Sequence, residues 1–121
     1  MKSRVRIVEV KTNDYRVWYD TETATVNFQG LIRESQIADY KPLEELLLQV
    51  IAQKPPVIAM NLQELEFLNS SGMTILSRFV IGVRNKKIIQ LVVRASQKIA
   101  WQNKSLANWQ RLMPGMTLQY E

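Results

Sequence analysis

Residues 60–73 read Met-Asn-Leu-Gln-Glu-Leu-Glu-Phe-Leu-Asn-Ser-Ser-Gly-Met, and they decide how the rest of the chain is interpreted. The stretch begins at the end of the apolar run 57–60, and such a run is typical of a strand that is buried on both faces of a sheet. A polar turn and an apolar Phe-Leu pair come next, and Asn-Ser-Ser-Gly then precedes apolar residues at helical spacing. The stretch therefore predicts a buried strand, a loop and a helix that begins beside two serines.

Upstream of this stretch, the sequence predicts a β-hairpin, a further strand and a helix. Residues 5–10 and 15–19 have the composition of two strands joined by a turn. Residues 24–28 alternate apolar with polar side chains, as in a strand with one buried face, and Gly30 marks its end. An amphipathic helix is predicted over 42–52, where leucines recur three and four residues apart.

Downstream, the same alternation of helices and strands continues. Apolar residues over 73–83 mark one face of a helix, and the nearly continuous β-branched run 88–93 predicts a second buried strand. Ser96 is a good N-cap for a third helix that extends to Met113, and residues 116–120 alternate as a final strand. This order predicts an α/β fold with a mixed, largely parallel sheet and helices packed on it.

The composition argues against most classes of enzyme. The chain has no cysteine and no histidine, which excludes a disulfide framework, a zinc-thiolate site and a Ser-His-Asp triad. Glu64 and Glu66 could form a carboxylate pair or a magnesium site, but we interpret them as solvent-facing residues of a loop. We therefore expect no catalytic residue, no metal site and no cofactor.

The positive charge is concentrated in the second part of the chain. Residues 67–120 hold eight basic and no acidic side chains, which favours an anionic partner, either nucleic acid or an acidic protein face. Trp101 and Trp109 lie eight residues apart and are predicted to belong to the core rather than to a base-stacking surface. Trp18 could be an exposed recognition residue, but it is predicted to pack on the hairpin or on the element that covers the hairpin. We therefore rank nucleic-acid binding below protein binding.

The N-terminal residues suggest a cytoplasmic protein. Residues 1–6 carry charges that no apolar segment follows, so they do not read as a signal peptide. No apolar run approaches the roughly 18 residues of a membrane span. We expect no association with a membrane.

The segment 57–84 resembles the STAS domain of bacterial anti-sigma-factor antagonists. The signature of that family is a strand, a short loop, one or two apolar residues and Asp-Ser-Ser-Gly at the start of a helix. Gly30, the helix at 42–52 and the strand at 88–93 also fall in the order of that family. One departure is that Asn69 stands where the family has Asp, so a negative charge is lost beside the serines.

The resemblance implies a fold, a domain organisation and a mode of action. It covers residues 23–120 and implies a STAS-like domain at 23–121, preceded by a hairpin extension at 1–22 within one compact unit. It further implies a phosphoprotein of signal transduction that regulates transcription by partner switching. The unphosphorylated domain would bind an anti-sigma factor or related GHKL-type serine kinase, and a serine phosphatase would reverse the phosphorylation.

The resemblance places the regulatory site at the start of the second helix. It implies Ser70 as the phosphorylated residue, with Ser71 as the alternative, and partner contacts by Asn69, Ser70, Ser71, Gly72 and Met73. Physical chemistry supports such a switch, because a phosphate of about −1.5 to −2 charges is favourable at a helix N-terminus. In a packed interface the same charge is costly, because it must be desolvated.

Three other interpretations remain open at this stage. One of the two serines could serve only as the N-cap of the helix. The domain could be a scaffold that is not switched, with Asn69 marking the loss of phosphorylation. The basic half could bind nucleic acid, in which case affinity would fall steeply with salt concentration.

Overall fold

The computed structural model describes residues 8–121, which form a single six-stranded sheet with three α-helices. The elements in chain order are β1 (Glu9–Lys11), β2 (Tyr15–Asp20), β3 (Thr25–Ile32), a 3-10 helix (Ile37–Tyr40), α1 (Lys41–Ala52), β4 (Val57–Leu68), α2 (Ser70–Lys86), β5 (Gln90–Ala95), α3 (Ala100–Leu112) and β6 (Thr117–Tyr120). The strands lie side by side in sequence order. Within these residues no helix is both long and apolar enough to cross a membrane.

The sheet is mixed, as the sequence predicts. Strands β1, β2 and β3 pair antiparallel, and β3 to β6 pair parallel through crossovers that contain the helices. The α/β class and the antiparallel N-terminal hairpin are therefore confirmed. The predicted strand at 5–10 begins outside the described residues, and its described part corresponds to β1. The hairpin joins the same sheet as β3, and a domain boundary after residue 22 stays a prediction.

One face of the sheet carries the hydrophobic core. Burial alternates along β2 and β5, so that Val17, Leu91 and Val93 point inward while their neighbours are half-exposed. The predicted stripe on α1 packs into this core, with Leu43 and Leu46 fully buried. Alternating strands and an amphipathic helix thus bury their apolar sides against each other.

Strand β4 is longer than the sequence suggests, which corrects the expected polar turn after Leu62. It continues to Leu68 because β3 pairs with it as far as Ile32 and Leu68, with two irregularities in the register. Glu64 and Glu66 are exposed, as expected, but they lie on this strand and not in a loop. Glu64 accepts a hydrogen bond of 3.0 Å from the side-chain amide of Gln29 on β3.

On the side of β4 that faces β5, side chains of α3 bind backbone carbonyls of β4 that have no strand partner. Strand β5 pairs with β4 only as far as Asn61, so the later carbonyl groups have no strand partner there. Gln102, which is fully buried, donates to the carbonyls of Leu62 at 2.7 Å and Leu65 at 3.2 Å. The indole nitrogen of Trp101 also donates to Leu65 O, at 3.0 Å. Unpaired carbonyls in a core are costly, so these contacts allow β4 to extend.

The three tryptophans lie as predicted. Trp109 is buried, and Trp101 is half-buried against the core. Trp18 packs on the hairpin, where the guanidinium of Arg16 lies 4.0 Å from the centre of its ring. Trp101 and Trp109 are therefore not free stacking platforms for nucleic-acid bases, and Arg16 covers one face of the Trp18 ring.

Two local predictions are wrong. Ser96 does not cap the third helix, because α3 begins at Ala100 with Ile99 in the N-cap position, and the Ser96 hydroxyl accepts a bond from Lys98 N instead. Gly30 does not end β3, which continues to Ile32. Its φ is +96°, and a Cβ at this position would lie 2.4 Å from Asp14 O, which explains why a glycine is needed at this irregular point.

Candidate functional site

The start of α2 is capped by Asn69, and this corrects the expectation that a serine caps it. The side-chain oxygen of Asn69 accepts a hydrogen bond of 2.9 Å from the backbone nitrogen of Gly72, the third residue of the helix. Asn69 has an extended backbone, while Ser70 and Ser71 occupy the first two helical positions. Asparagine is among the best N-cap residues, so the departure from Asp at this position preserves the cap.

Asn69 also ties the start of α2 to the segment that follows β3. Its amide nitrogen donates to the carbonyl of Glu34 at 2.9 Å, and its oxygen accepts from the Tyr40 hydroxyl at 3.2 Å. The Tyr40 hydroxyl in turn accepts from the backbone nitrogen of Glu34 at 2.8 Å, and Tyr40 is fully buried. We call Asn69, Tyr40, Ser71 and the backbone of Glu34 the Asn69 network.

Sequence reasoning missed two members of this network. Glu34 and Tyr40 lie about thirty residues before Asn69, and no motif or spacing links them to it. Their contribution is a rigid support, because a buried hydroxyl and a backbone carbonyl are both satisfied by the same asparagine.

The two serines occupy different environments. Ser71 is half-buried, and its hydroxyl lies 3.0 Å from both Glu34 O and Asn69 Oδ1, so it donates within the Asn69 network. Ser70 is exposed, and within residues 8–121 its hydroxyl has no hydrogen-bond partner. Modification of Ser71 would require its hydroxyl to leave the network, whereas the Ser70 hydroxyl already faces solvent.

Gly72 is buried in this structure, and the partner contact expected at this residue stays a prediction. A Cβ at this position would lie 2.6 Å from Leu68 Cδ1 and 2.7 Å from Ile32 Cγ2. The glycine therefore lets the first turn of α2 approach the ends of β3 and β4. Met73, the fifth residue of the predicted site, is half-buried against the core.

Apolar side chains are exposed on both segments that lead to the Asn69 network. Phe67 is 46% exposed near the end of β4, and Ile37 is 39% exposed on the 3-10 helix. Large exposed apolar side chains are a common feature of protein-binding surfaces when they lie beside polar groups. Both side chains thus add exposed apolar area to the two segments that lead to the Asn69 network.

Tyr15 makes stability near the network sensitive to alkaline pH. Burial raises the pKa of Tyr15 from 10.0 to about 12, and the charges of Glu34 and Tyr40 add to the increase. Between about pH 10 and 12 the unfolded chain therefore loses a proton that the folded chain keeps, so stability falls as pH rises through this window.

We expect Tyr15→Phe to reduce this fall in stability, as measured by denaturant unfolding at a series of pH values. Burial also raises the pKa of Tyr19, which leaves a residual slope in the variant. An unchanged slope in Tyr15→Phe would contradict the assignment.

Comparisons with known proteins identify the architecture. No protein-family model matches this sequence, and no curated protein matches it as a relative. A chain in the crystal structure of the diguanylate cyclase SiaD in complex with its activator SiaC, from Pseudomonas aeruginosa, superimposes with a TM-score of 0.69 at 9% identity. The alignment covers 93% of this chain and 98% of that chain. The chain has a STAS-like fold.

A second structure supports the same fold. SiaC of Pseudomonas aeruginosa superimposes with a TM-score of 0.61 at 8% identity, and the alignment covers 93% of both chains. Both alignments span almost the whole STAS-like chain, including residues beyond the motif that carries the sequence resemblance. The predicted fold is thereby confirmed, and at 8–9% identity the similarity is one of fold.

Proposed function

We propose that this chain is a regulatory domain without catalytic activity that binds a protein partner and is switched by phosphorylation of Ser70. The observation that carries the proposal is the contrast between the two serines: Ser70 presents an exposed hydroxyl, while Ser71 is held in the Asn69 network. An accessible hydroxyl on a rigid support is a suitable acceptor for a protein kinase.

The chemistry of the switch follows from the position of Ser70 in α2. As the first helical residue it lies among backbone N–H groups that have no intrahelical partner, and the helix dipole favours an anion there. The folded domain therefore tolerates a phosphate on Ser70. A partner packed over the same hydroxyl does not tolerate it, because the added charge must be desolvated in the contact.

The shared fold supports binding as the mode of action. SiaC is the activator of the diguanylate cyclase SiaD and occurs in a complex with it. We propose that this chain likewise acts by binding and controlling a second protein in the cytoplasm. The partner we propose is a signalling protein such as an anti-sigma factor or a GHKL-type serine kinase, and a serine phosphatase restores the unmodified form.

The replacement of Asp by Asn69 is compatible with this proposal. The amide performs two tasks, because it caps α2 through Gly72 N and holds Glu34 O through its nitrogen. A carboxylate could perform only the first, since it has no hydrogen to donate. We propose that Asn69 supports the Ser70 hydroxyl without adding a negative charge next to it.

Single substitutions at Ser70 test the switch. We expect Ser70→Asp to bind the partner at least about tenfold more weakly than wild type, because its charge opposes burial. We expect Ser70→Ala to bind with nearly wild-type affinity and to change stability by less than about 0.5 kcal/mol, since Ser70 is not the cap. The partner would be isolated from the native cells by cross-linking, purified and titrated with each variant by calorimetry.

A matched control separates the site from the effect of charge alone. Thr23→Asp adds the same charge in the exposed turn before β3, at the end of the sheet opposite to Asn69, and should bind like wild type. Intact-mass analysis of the protein from its own cells should show one phosphate, and fragmentation of its peptides should locate that phosphate on Ser70. Equal affinities of Ser70→Asp and wild type would favour the unswitched scaffold instead.

A further inference from the structure

Ser70 and Ser71 begin two different faces of α2. Residues three, four and seven positions apart share a helix face, so Ser70 lies in line with Met73 and Ser77, while Ser71 lies in line with Arg78. Met73 and Ser77 line a groove between α2 and α3, and Arg78 lines a groove between α2 and α1. The exposed hydroxyl therefore belongs to the α3 side of the helix.

The α2–α3 groove is the larger of the two. Its volume is about 370 Å³, compared with about 60 Å³ for the α1–α2 groove. Met73 and Leu112 provide apolar contact area in it, and Ser105 and Asn108 provide polar groups. The groove can thus accept an apolar side chain together with the backbone of a bound segment.

The charge at this groove is positive and uncompensated. Arg111 lines it, and Lys104 lies seven residues earlier on the same face of α3. Within residues 8–121 neither side chain forms an ion pair, whereas Arg78 at the other groove is paired with Glu44 at 3.2 Å. No acidic residue occurs from 67 to 120, so nothing nearby in the sequence balances these charges.

We infer that the α2–α3 groove binds an acidic amphipathic segment of the protein partner, an inference that rests on the function proposed above. Lys104 and Arg111 attract the acidic side chains, and Met73 and Leu112 contact the apolar ones. A phosphate on Ser70 stands at the start of the same helix face and repels that segment. The switch is thereby electrostatic, and its effect decreases as salt concentration rises.

The groove favours a protein over a nucleic acid as its occupant. Trp109, which also borders the groove, is 1% exposed, and its indole nitrogen donates to Ser77 Oγ at 3.1 Å. It therefore offers no face on which a base could stack, and single-strand binding proteins combine such stacking with a positively charged groove.

A synthetic peptide tests the groove directly. The probe is a fluorescein-labelled amphipathic helical peptide in which glutamates flank a pair of leucines, and its control is the same peptide with lysine in place of each glutamate. We expect wild-type protein to bind the acidic peptide and not the basic one. Arg111→Glu should weaken this binding at least about tenfold. Lys86→Glu, which makes the same charge change on an exposed residue of another α2 face, should stay within about twofold of wild type.

Nuclear magnetic resonance titration locates the bound peptide. We expect shifted amide signals for Met73, Ser77 and Asn108, and a smaller response in Ser70→Asp that recovers with added salt. Equal weakening by Arg111→Glu and Lys86→Glu, or shifts confined to the α1–α2 groove, would overturn the inference. Tighter binding of an oligothymidine strand than of the acidic peptide would also overturn it.

The same variants distinguish an error in the groove inference from an error in the proposed function. If the native partner responds to Ser70→Asp but not to Arg111→Glu, the phosphorylation switch stands and the groove is wrong. If peptide and partner both respond to Arg111→Glu but not to Ser70→Asp, the groove stands and the switch at Ser70 is wrong.

Discussion

Gly72→Val is expected to lower the free energy of unfolding by about 3 kcal/mol or more, with a fall in Tm of roughly 10–15 °C. Even a Cβ at this position would lie 2.6 Å from Leu68 Cδ1 and 2.7 Å from Ile32 Cγ2. The leucine methyl can rotate away, but the isoleucine Cγ2 moves only by rotation about Cα–Cβ, which is restricted in a buried β-branched side chain. Valine adds two further methyl groups, so α2 and β3 must separate. Thermal unfolding measured by circular dichroism would give the change in Tm.

Gly115 provides a matched control for this substitution. It lies in the exposed turn before β6, and a Cβ there would have no atom within 4 Å. Gly115→Val should therefore change stability by less than about 0.5 kcal/mol. If Gly72→Val instead kept wild-type stability and lost only partner binding, that result would support the predicted partner contact at Gly72.

Asn69→Ala is expected to cost about 2–4 kcal/mol of stability. The substitution removes the cap of α2, worth about 1 kcal/mol, and leaves the buried Tyr40 hydroxyl without its acceptor. It also removes the donor to Glu34 O, which then depends on Ser71 alone. Urea unfolding would measure the change as a lower midpoint with an unchanged slope.

Asn69→Asp separates the two tasks of the side chain. Aspartate keeps an acceptor for Gly72 N and gains about 0.3–1 kcal/mol from the helix dipole. Against this, its second oxygen faces the Glu34 carbonyl where the amide nitrogen now donates at 2.9 Å, so a bond is replaced by repulsion. We expect stability to rank wild type first, Asn69→Asp second and Asn69→Ala last. Asn13→Ala, an exposed asparagine in the β1–β2 turn, is the control and should have little effect. An Asn69→Asp protein more stable than wild type would show that donation to Glu34 contributes little.

The arrangement of the serines has consequences for any kinase that acts here. Because the Ser71 hydroxyl belongs to the Asn69 network, its phosphorylation would break the contact with Glu34 O as well as add charge. Phosphate found on Ser71 would therefore coincide with a loss of stability, whereas phosphate on Ser70 would not. Stability and binding together thus distinguish the two candidate acceptors.

The sequence by itself determined the features that depend on neighbouring residues. Alternation over 24–28 and the leucine stripe of α1 each reflect burial of one side of a regular element, and that periodicity is visible without tertiary contacts. The β-branched run 88–93 indicated a strand, but not that its burial alternates. The absence of cysteine and histidine limits the chemistry in any fold. The motif around Ser70 was also readable, because a buried strand and the start of a helix follow one another along the chain.

Only the tertiary structure decided the features that depend on distant partners. Strand β4 extends through its polar residues because Gln102, forty residues later, satisfies the Leu62 carbonyl. Asn69 rather than a serine caps α2, and it does so within a network whose members Glu34 and Tyr40 lie about thirty residues away. The close packing of Gly72 on α2 likewise depends on Ile32 of β3, forty residues earlier in the chain. Local periodicity cannot report such contacts, because the free energy of a buried polar group or a close approach depends on what the fold brings beside it.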